Sequence, residues 1–327
     1  MQIYLAPMEG ITTFIYRNAF AQHYGEIDKY FTPFLSDKNL NYKEINEVLP
    51  EHNKGLVVVP QILTNQVEVF LSLAAKLANY GYREANLNLG CPSGTVVAKK
   101  RGAGFLSIPD TLDAFLEEIF KKCTLEISIK TRIGMESVDE WQRLLAIYMK
   151  YPVKELIVHP RLQKECYEGV PHVEAFRTTQ EMLPMLPLCY NGDIVSKASY
   201  DAVTDRLMPV ERIMLGRGVL ANPTLPATLK TQKPETFPYT DDLKRFRAFH
   251  DEILEGYREL MSGDQPVLFR MKELWTYMRQ YPGLTDKQLK QIRKSKRIDE
   301  YQRVISGIFS RFDETPRITQ KNPPLHP

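Results

Sequence analysis

The chain has 327 residues, 43% hydrophobic and 25% charged, with a net charge of +3. This composition excludes a disordered, collagen-like or fibrous chain, and the length exceeds the roughly 250–300 residues at which one hydrophobic core stops growing. The four cysteines, Cys91, Cys123, Cys166 and Cys189, are too few for a disulfide scaffold and contain no C-x-x-C pair for a structural zinc.

Short apolar, β-branched runs recur through residues 1–220. The expected strands are Ile3–Pro7, Tyr30–Leu35, Leu56–Leu63, Ala85–Leu89, Glu126–Thr131, Glu155–His159, Leu188–Asn191 and Arg212–Leu215. Runs such as Leu56-Val57-Val58-Val59 are continuous rather than alternating, which suits parallel strands buried on both faces. Helical patterns lie between the strands. Val67–Tyr80 sets Val67, Phe70, Leu71, Ala74, Leu77 and Ala78 on one stripe. Asp110–Lys122 opens after a proline and ends in basic residues, which suits the helix dipole. Ser196–Leu207 begins on an N-cap serine. Eight strands alternating with helices over about 220 residues predict an α/β fold, a (β/α)8 TIM barrel. A doubly wound sheet is the alternative, but no G-x-G-x-x-G follows the first strand.

Pro223, Pro226, Pro234 and Pro238 then interrupt regular structure. The expected organisation is a barrel over 1–230, a linker over 231–240, a helical bundle domain over 241–314 and a flexible tail over 315–327. Residues 1–230 hold 25 Lys and Arg against 26 Asp and Glu, whereas residues 231–327 hold 18 against 14. Lys287, Lys290, Arg293, Lys294, Lys296, Arg297 and Arg303 crowd one stretch of the bundle. Alone, such a run reads as a solvated helix face. Met1–Pro7 carries no signal-peptide pattern, and no run reaches the roughly 18 apolar residues of a membrane span. A cytoplasmic protein away from membranes is expected.

Polar residues gather at the strand ends, where barrels place reactive groups. Cys91, between Gly90 and Pro92 after the fourth strand, sits in a tight loop that could hold a thiol out of the core. A thiol there can act as nucleophile or general acid. Asn191-Gly192-Asp193 and Gly216-Arg217 follow strands seven and eight, the usual phosphate site of a barrel, where glycine backbone and an arginine can hold an anion. Gln61, Lys130, Arg132 and His159 stand at the ends of strands three, five and six. Such side chains, converging on one ring, suit a flavin with its carbonyl and nitrogen acceptors.

The ordered motifs Ala6-Pro7-Met8-Glu9-Gly10, Pro60-Gln61-Ile62-Leu63, Asn86-Leu87-Asn88-Leu89-Gly90-Cys91-Pro92, Gly102-Ala103-Gly104, Ile129-Lys130-Thr131-Arg132, Val158-His159-Pro160-Arg161, Asn191-Gly192-Asp193 and Gly216-Arg217 resemble those of bacterial tRNA-dihydrouridine synthases. The Met-Glu-Gly of the first motif is similar to one subgroup. The resemblance implies an FMN-bound barrel with a helical RNA-recognition domain. It implies flavin contacts from Pro7, Met8, Glu9, Gln61, Lys130 and His159, and ribityl and phosphate contacts from Asn191, Gly192, Asp193, Gly216 and Arg217. Cys91 would be the catalytic acid and Asn88 would lie near the uridine. Further RNA contacts are expected from Lys99, Arg101, Arg132, Arg293 and Arg297. NADPH would reduce FMN. The flavin would then pass hydride to C6 of a uridine in folded RNA, while Cys91 protonates C5. The uridine must leave its stack to reach such a site. The RNA would be tRNA, with ribosomal RNA as the alternative; no metal is implied and a monomer is expected. The alternative outside RNA modification is a flavin barrel reductase of small pyrimidines or enoates. His159-Pro160-Arg161-Leu162-Gln163 lacks the family's usual Gly/Ala-Arg-Thr, and the loop after Cys91 also departs from it. Both bear on substrate placement.

Overall fold

The structure is a computed structural model and describes residues 1–231, 240–278 and 284–312. Among the described residues nine short strands run parallel: β1 (Gln2–Leu5), β2 (Lys29–Phe31), β3 (Val58–Val59), β4 (Gln61–Ile62), β5 (Glu84–Leu89), β6 (Glu126–Gly134), β7 (Leu156–Leu162), β8 (Leu188–Tyr190) and β9 (Arg212–Leu215). Their order is β3-β2-β1-β9-β8-β7-β6-β5-β4. The two ends of that order, β3 and β4, are separated only by Pro60. Proline has no N–H to donate, so the expected strand Leu56–Leu63 is split there. The segment still pairs on both sides. Val59 O accepts from Thr32 N at 3.2 Å, and Pro60 O accepts from Asn86 N at 2.9 Å. The ring therefore closes, as an α/β TIM barrel. Pro33 likewise shortens the expected strand Tyr30–Leu35, leaving Leu35 in a single bridge to Ile62.

Tyr4, Ala6, Phe31, Val59, Ile157, Cys189 and Met214 form one buried cluster. Because strand side chains alternate, that layer fixes what stands in the next one. At the opposite, N-terminal ends of the strands lies an ion network. Glu155 accepts from Lys29 at 2.9 Å and from the Tyr4 hydroxyl at 2.8 Å, and Lys154 reaches Glu84 at 3.2 Å. Charge pairing at this end of a barrel serves stability.

The helices sit near their expected places: Val67–Asn79, Pro109–Lys122 and Lys197–Thr204. Ser196 caps the last of these, accepting from Ser199 N at 3.1 Å. The first helix, Phe14–His23, and the region after β9 differ from expectation. The compact unit that holds the barrel is Met1–Phe14 with Ile27–Gly216; Ile15–Glu26 groups with the residues from Arg217 on. These two units divide after Gly216. Aromatic packing explains it: Tyr16, Phe20 and Tyr24 meet the Phe249 ring edge-on, at centroid distances of 5.5, 6.1 and 5.4 Å.

Among the described residues of that second unit lie the helices Thr240–Leu260, Asp264–Met278, Asp286–Lys294 and Ile298–Phe312. Phe246, Phe249, His250, Ile253, Leu254 and Tyr257 line one buried stripe of the first. Of the expected linker only residues 231 and 240 are described, and the expected tail lies wholly outside the described residues.

Candidate active site at the barrel mouth

Gln61, His159, Asn191 and Gly216 each stand two residues beyond a member of the buried cluster (Val59, Ile157, Cys189, Met214), and Met8 stands two beyond Ala6. Alternation carries Gln61 and His159 one layer nearer the strand C-termini, and Met8, Asn191 and Gly216 follow just beyond the ends of β1, β8 and β9. The polar residues scattered through the sequence thus meet at one end of the barrel.

A directed hydrogen-bond chain runs along β4, β5 and β6 to this end. The N–H groups of Gly90 and Cys91 donate to Asn88 Oδ1 at 3.0 and 2.9 Å. Asn88 Nδ2 donates to Gln61 Oε1 at 2.7 Å, and Gln61 Nε2 to Asn86 Oδ1 at 2.8 Å. Asn86 Nδ2 donates to Ser128 Oγ at 3.0 Å, and Ser128 Oγ to Glu84 Oε1 at 2.6 Å. Both ends force the direction: backbone N–H can only donate and an ionised carboxylate can only accept. The amide orientations of Asn86, Gln61 and Asn88 follow. Sequence reasoning placed Asn88 near a substrate; its carbonyl is occupied by the Cys91 loop.

That loop is tightly built. Cys91 O accepts from Ala103 N at 3.0 Å. Gly102 has φ +54°, and a Cβ there would lie 2.9 Å from Cys91 O; one on Gly104 would lie 2.6 Å from Val97 O. Only glycine allows this approach. Burial pushes the Cys91 thiol above its ordinary range, opposed in part by the Ser93 N–H and the Lys130 and Arg132 charges. The thiol is therefore protonated at neutral pH.

Lys130 projects without a hydrogen bond or ion pair to any described residue. Desolvation first, and the Arg132 charge second, push its ammonium down to about 8. His159, 8% exposed, lies 3.2 Å through Nε2 from Arg161 Nη1. Guanidinium only donates, so Nε2 is the acceptor and the ring carries its proton on Nδ1. Arg161, fully buried, also grips Asp193 with two bonds of 3.0 and 2.5 Å. Asp193 itself has φ +41°, a left-handed backbone that this pair holds in place.

The chain matches the dihydrouridine synthase (Dus) family over residues 4–303. It is 30% identical over 227 residues to a "Probable tRNA-dihydrouridine synthase" of Staphylococcus epidermidis, covering 67% of this chain and 69% of that one. It is 28% identical over 259 residues to the "Probable tRNA-dihydrouridine synthase 2" of Bacillus subtilis, covering 76% and 78%. This protein belongs to the dihydrouridine synthase family. It is accordingly an oxidoreductase. A structure of morphinone reductase in complex with tetrahydroNAD superposes with a TM-score of 0.48 at 13% identity, over 76% of this chain and 90% of that one, a likeness too slight to argue from.

In this dihydrouridine synthase family member the other expected site residues fall into distinct settings. Pro7 and Met8 are half-buried and Glu9 is exposed, in a turn held by Thr12, whose Oγ1 accepts from Met8 N at 2.8 Å. Asn191 Nδ2 is tied to Met214 O at 2.8 Å. Gly192 packs where a Cβ would lie 2.9 Å from the Tyr190 hydroxyl. Arg217 opens the short helix Arg217–Ala221 and falls in the second unit. Lys99 is exposed, and its loop is pinned by Asn65 Nδ2 to Lys99 O and Lys100 O, both at 3.1 Å. Arg101 Nε approaches Asn65 Oδ1 at 3.4 Å.

Arg132, expected to meet RNA, is 1% exposed and gives its guanidinium to three main-chain carbonyls. Arg293 lies exposed in the last turn of Asp286–Lys294; Arg297 is exposed and paired with Asp299 at 3.0 Å. Among the described residues no group of three or more His, Cys, Asp and Glu is placed to hold a metal, and no helix is long and apolar enough to cross a membrane. Sequence reasoning left Arg161, Glu84, Asn86 and Ser128 without roles. The signal was present: Glu84, Asn86 and Asn88 alternate with Ala85, Leu87 and Leu89, which marks a polar inner face.

Proposed function

We propose that this protein is a tRNA-dihydrouridine synthase that holds FMN at the barrel mouth, draws electrons from NADPH and reduces the C5–C6 double bond of a uridine in folded tRNA. One observation carries it: a thiol kept protonated by burial stands at the mouth near the Lys130 ammonium, which has no hydrogen-bond or ion-pair partner among the described residues. The relatives' printed names support the substrate class. The donor set fits a flavin. Lys130 needs an acceptor, and His159 carries its proton on Nδ1; Pro7, Met8, Glu9 and Gln61 complete the ring contacts. Asn191, Gly192, Asp193, Gly216 and Arg217 would hold the ribityl and phosphate.

When bound and reduced, FMN supplies the hydride that adds to C6. Cys91 holds a proton at Sγ and delivers it to C5, where carbanion character develops; its thiolate regains a proton from solvent. Asn88 keeps the Cys91 main chain in place. Exposed Lys99, Arg293 and Arg297, with half-buried Arg101, serve the RNA backbone, whose phosphates orient without specifying sequence. Lys287, Lys290 and Lys294 extend the basic surface of Asp286–Lys294 opposite buried Gln288 and Ile292. We place the protein in the cytoplasm, acting as a monomer.

The test compares wild type with Cys91→Ala. Both should purify yellow and oxidise NADPH through the flavin, and the variant should lose dihydrouridine formation. A colourless protein that takes up no FMN refutes the cofactor; a fully active variant refutes the acid. Mapping dihydrouridine in cells lacking the protein decides the RNA. Loss from ribosomal RNA alone refutes tRNA as substrate.

A further inference from the structure

Two loops face each other across the β5, β6 and β7 ends, the loop that carries Cys91 and the loop after His159. Arg132, on β6 between them, is buried and joins them. Its Nε donates to Gly90 O at 2.9 Å, its Nη1 to Leu162 O at 2.9 Å and its Nη2 to Cys166 O at 2.6 Å. Gly90 immediately precedes Cys91. Cys166 has φ +49°, a rare conformation for a non-glycine residue, and its carbonyl is the one bound by Nη2. The guanidinium also lies 5.4 Å from the centroid of the Tyr167 ring. A second tie runs the same way: Gln163 Nε2 donates to Pro92 O at 3.3 Å. The Gly90–Cys91 peptide is thereby held from two sides, its N–H by Asn88 and its carbonyl by Arg132.

We propose that Arg132 is a positioning residue for Cys91, a clamp that fastens the acid-bearing loop to the loop after His159 so that the thiol stays aimed into the barrel mouth. This rests on the acid role given to Cys91. A planar fork with several fixed donors is needed, because three carbonyls from two loops must be met at once; lysine supplies the charge but not the fork. Misplacement of a reacting group by about 1 Å is enough to slow chemistry on the order of 100-fold, so the effect should appear in the protonation step rather than in RNA affinity.

The experiment uses the full-length, flavin-loaded protein as wild type, Arg132→Lys, Arg132→Met and Gln163→Ala. Three quantities are measured. They are flavin content and visible spectrum, the rate of Cys91 alkylation by iodoacetamide, and single-turnover reduction of saturating tRNA by pre-reduced enzyme. Peptide mass spectrometry separates Cys91 from the exposed Cys166. The expected result for Arg132→Lys is flavin content within about twofold of wild type, Cys91 alkylation at least about fivefold faster, and single turnover at least about tenfold slower. Gln163→Ala should move both rates the same way by a smaller factor, and it keeps the test alive if the arginine variants do not fold. Alkylation within twofold of wild type in every soluble variant overturns the clamp. So does loss of flavin with alkylation unchanged, which would make Arg132 a cofactor ligand. If Cys91→Ala retains full activity the acid reading fails, while the alkylation rate still decides the clamp.

Discussion

Ser128 lies fully buried in the middle of the directed chain, and Ser128→Ala removes only its hydroxyl. Two hydrogen bonds disappear, the one accepted from Asn86 Nδ2 and the one donated to Glu84. Asn86 is fully buried, so its freed N–H has no water to turn to; an unsatisfied buried donor costs about 1–3 kcal/mol. The bond to Glu84 has a charged acceptor, worth about 1.5–3 kcal/mol. Glu84 retains Lys154 at 3.2 Å and Lys29 at 3.6 Å, which puts that loss at the low end. The expected destabilisation is about 2–4 kcal/mol, a fall in Tm of about 4–16 °C for a domain of this size. Thermal and urea unfolding should be followed by far-ultraviolet circular dichroism, with Asn86→Ala and the double variant completing a cycle. A coupling of at least about 0.5 kcal/mol between the two positions is expected for groups that share a bond. A single variant within about 0.5 kcal/mol of wild type, or a coupling of zero, refutes the directed chain.

Three more outcomes follow from the geometry. Gly104→Ala places a Cβ 2.6 Å from Val97 O and 2.7 Å from Val97 Cα, and overpacking of this kind costs about 1–3 kcal/mol; Gly94→Ala, with nothing within 4 Å, is the neutral control in the same thermal melt. Asp193→Asn removes the charge that pairs with fully buried Arg161 and should destabilise by about 3–5 kcal/mol, read by chemical unfolding; an unchanged midpoint refutes the pair's importance. Lys130 in the free protein loses its proton as pH rises through about 8, and an acceptor ligand favours the charged form and raises that value. FMN affinity, measured by fluorescence quenching, should be greatest below pH 8 and fall as pH rises above it; Lys130→Met should abolish this dependence.

Much of the fold was legible along the chain because it rests on local periodicity. The βα alternation, the helices Val67–Asn79 and Pro109–Lys122 and the Ser196 cap need only neighbours in sequence to define them. The glycines beside Cys91 and Pro60 within a strand were visible as residues, but their meaning depended on what approached them. Pro60 marks the place where one segment serves both ends of the strand order. The polar inner face of β5 was legible too, in its alternation, yet its direction was not. Only the three-dimensional meeting of Gly90, Asn88, Gln61, Asn86, Ser128 and Glu84 sets which way each amide points.

By itself, then, the sequence determined a parallel barrel followed by helices, and a set of polar residues at the strand ends. Those are matters of hydrophobic period and of residue type, which no distant contact is needed to read. The tertiary structure decided the roles. It gave Arg132, which was expected to meet RNA, to three main-chain carbonyls, and it left Lys130 without a hydrogen bond or ion pair to any described residue. It also grouped Ile15–Glu26 with the second unit through Phe249. The physical reason is common to all three. Burial and partner are properties of contacts between residues far apart in the chain, and these set whether a charge is spent on the protein or kept for a ligand.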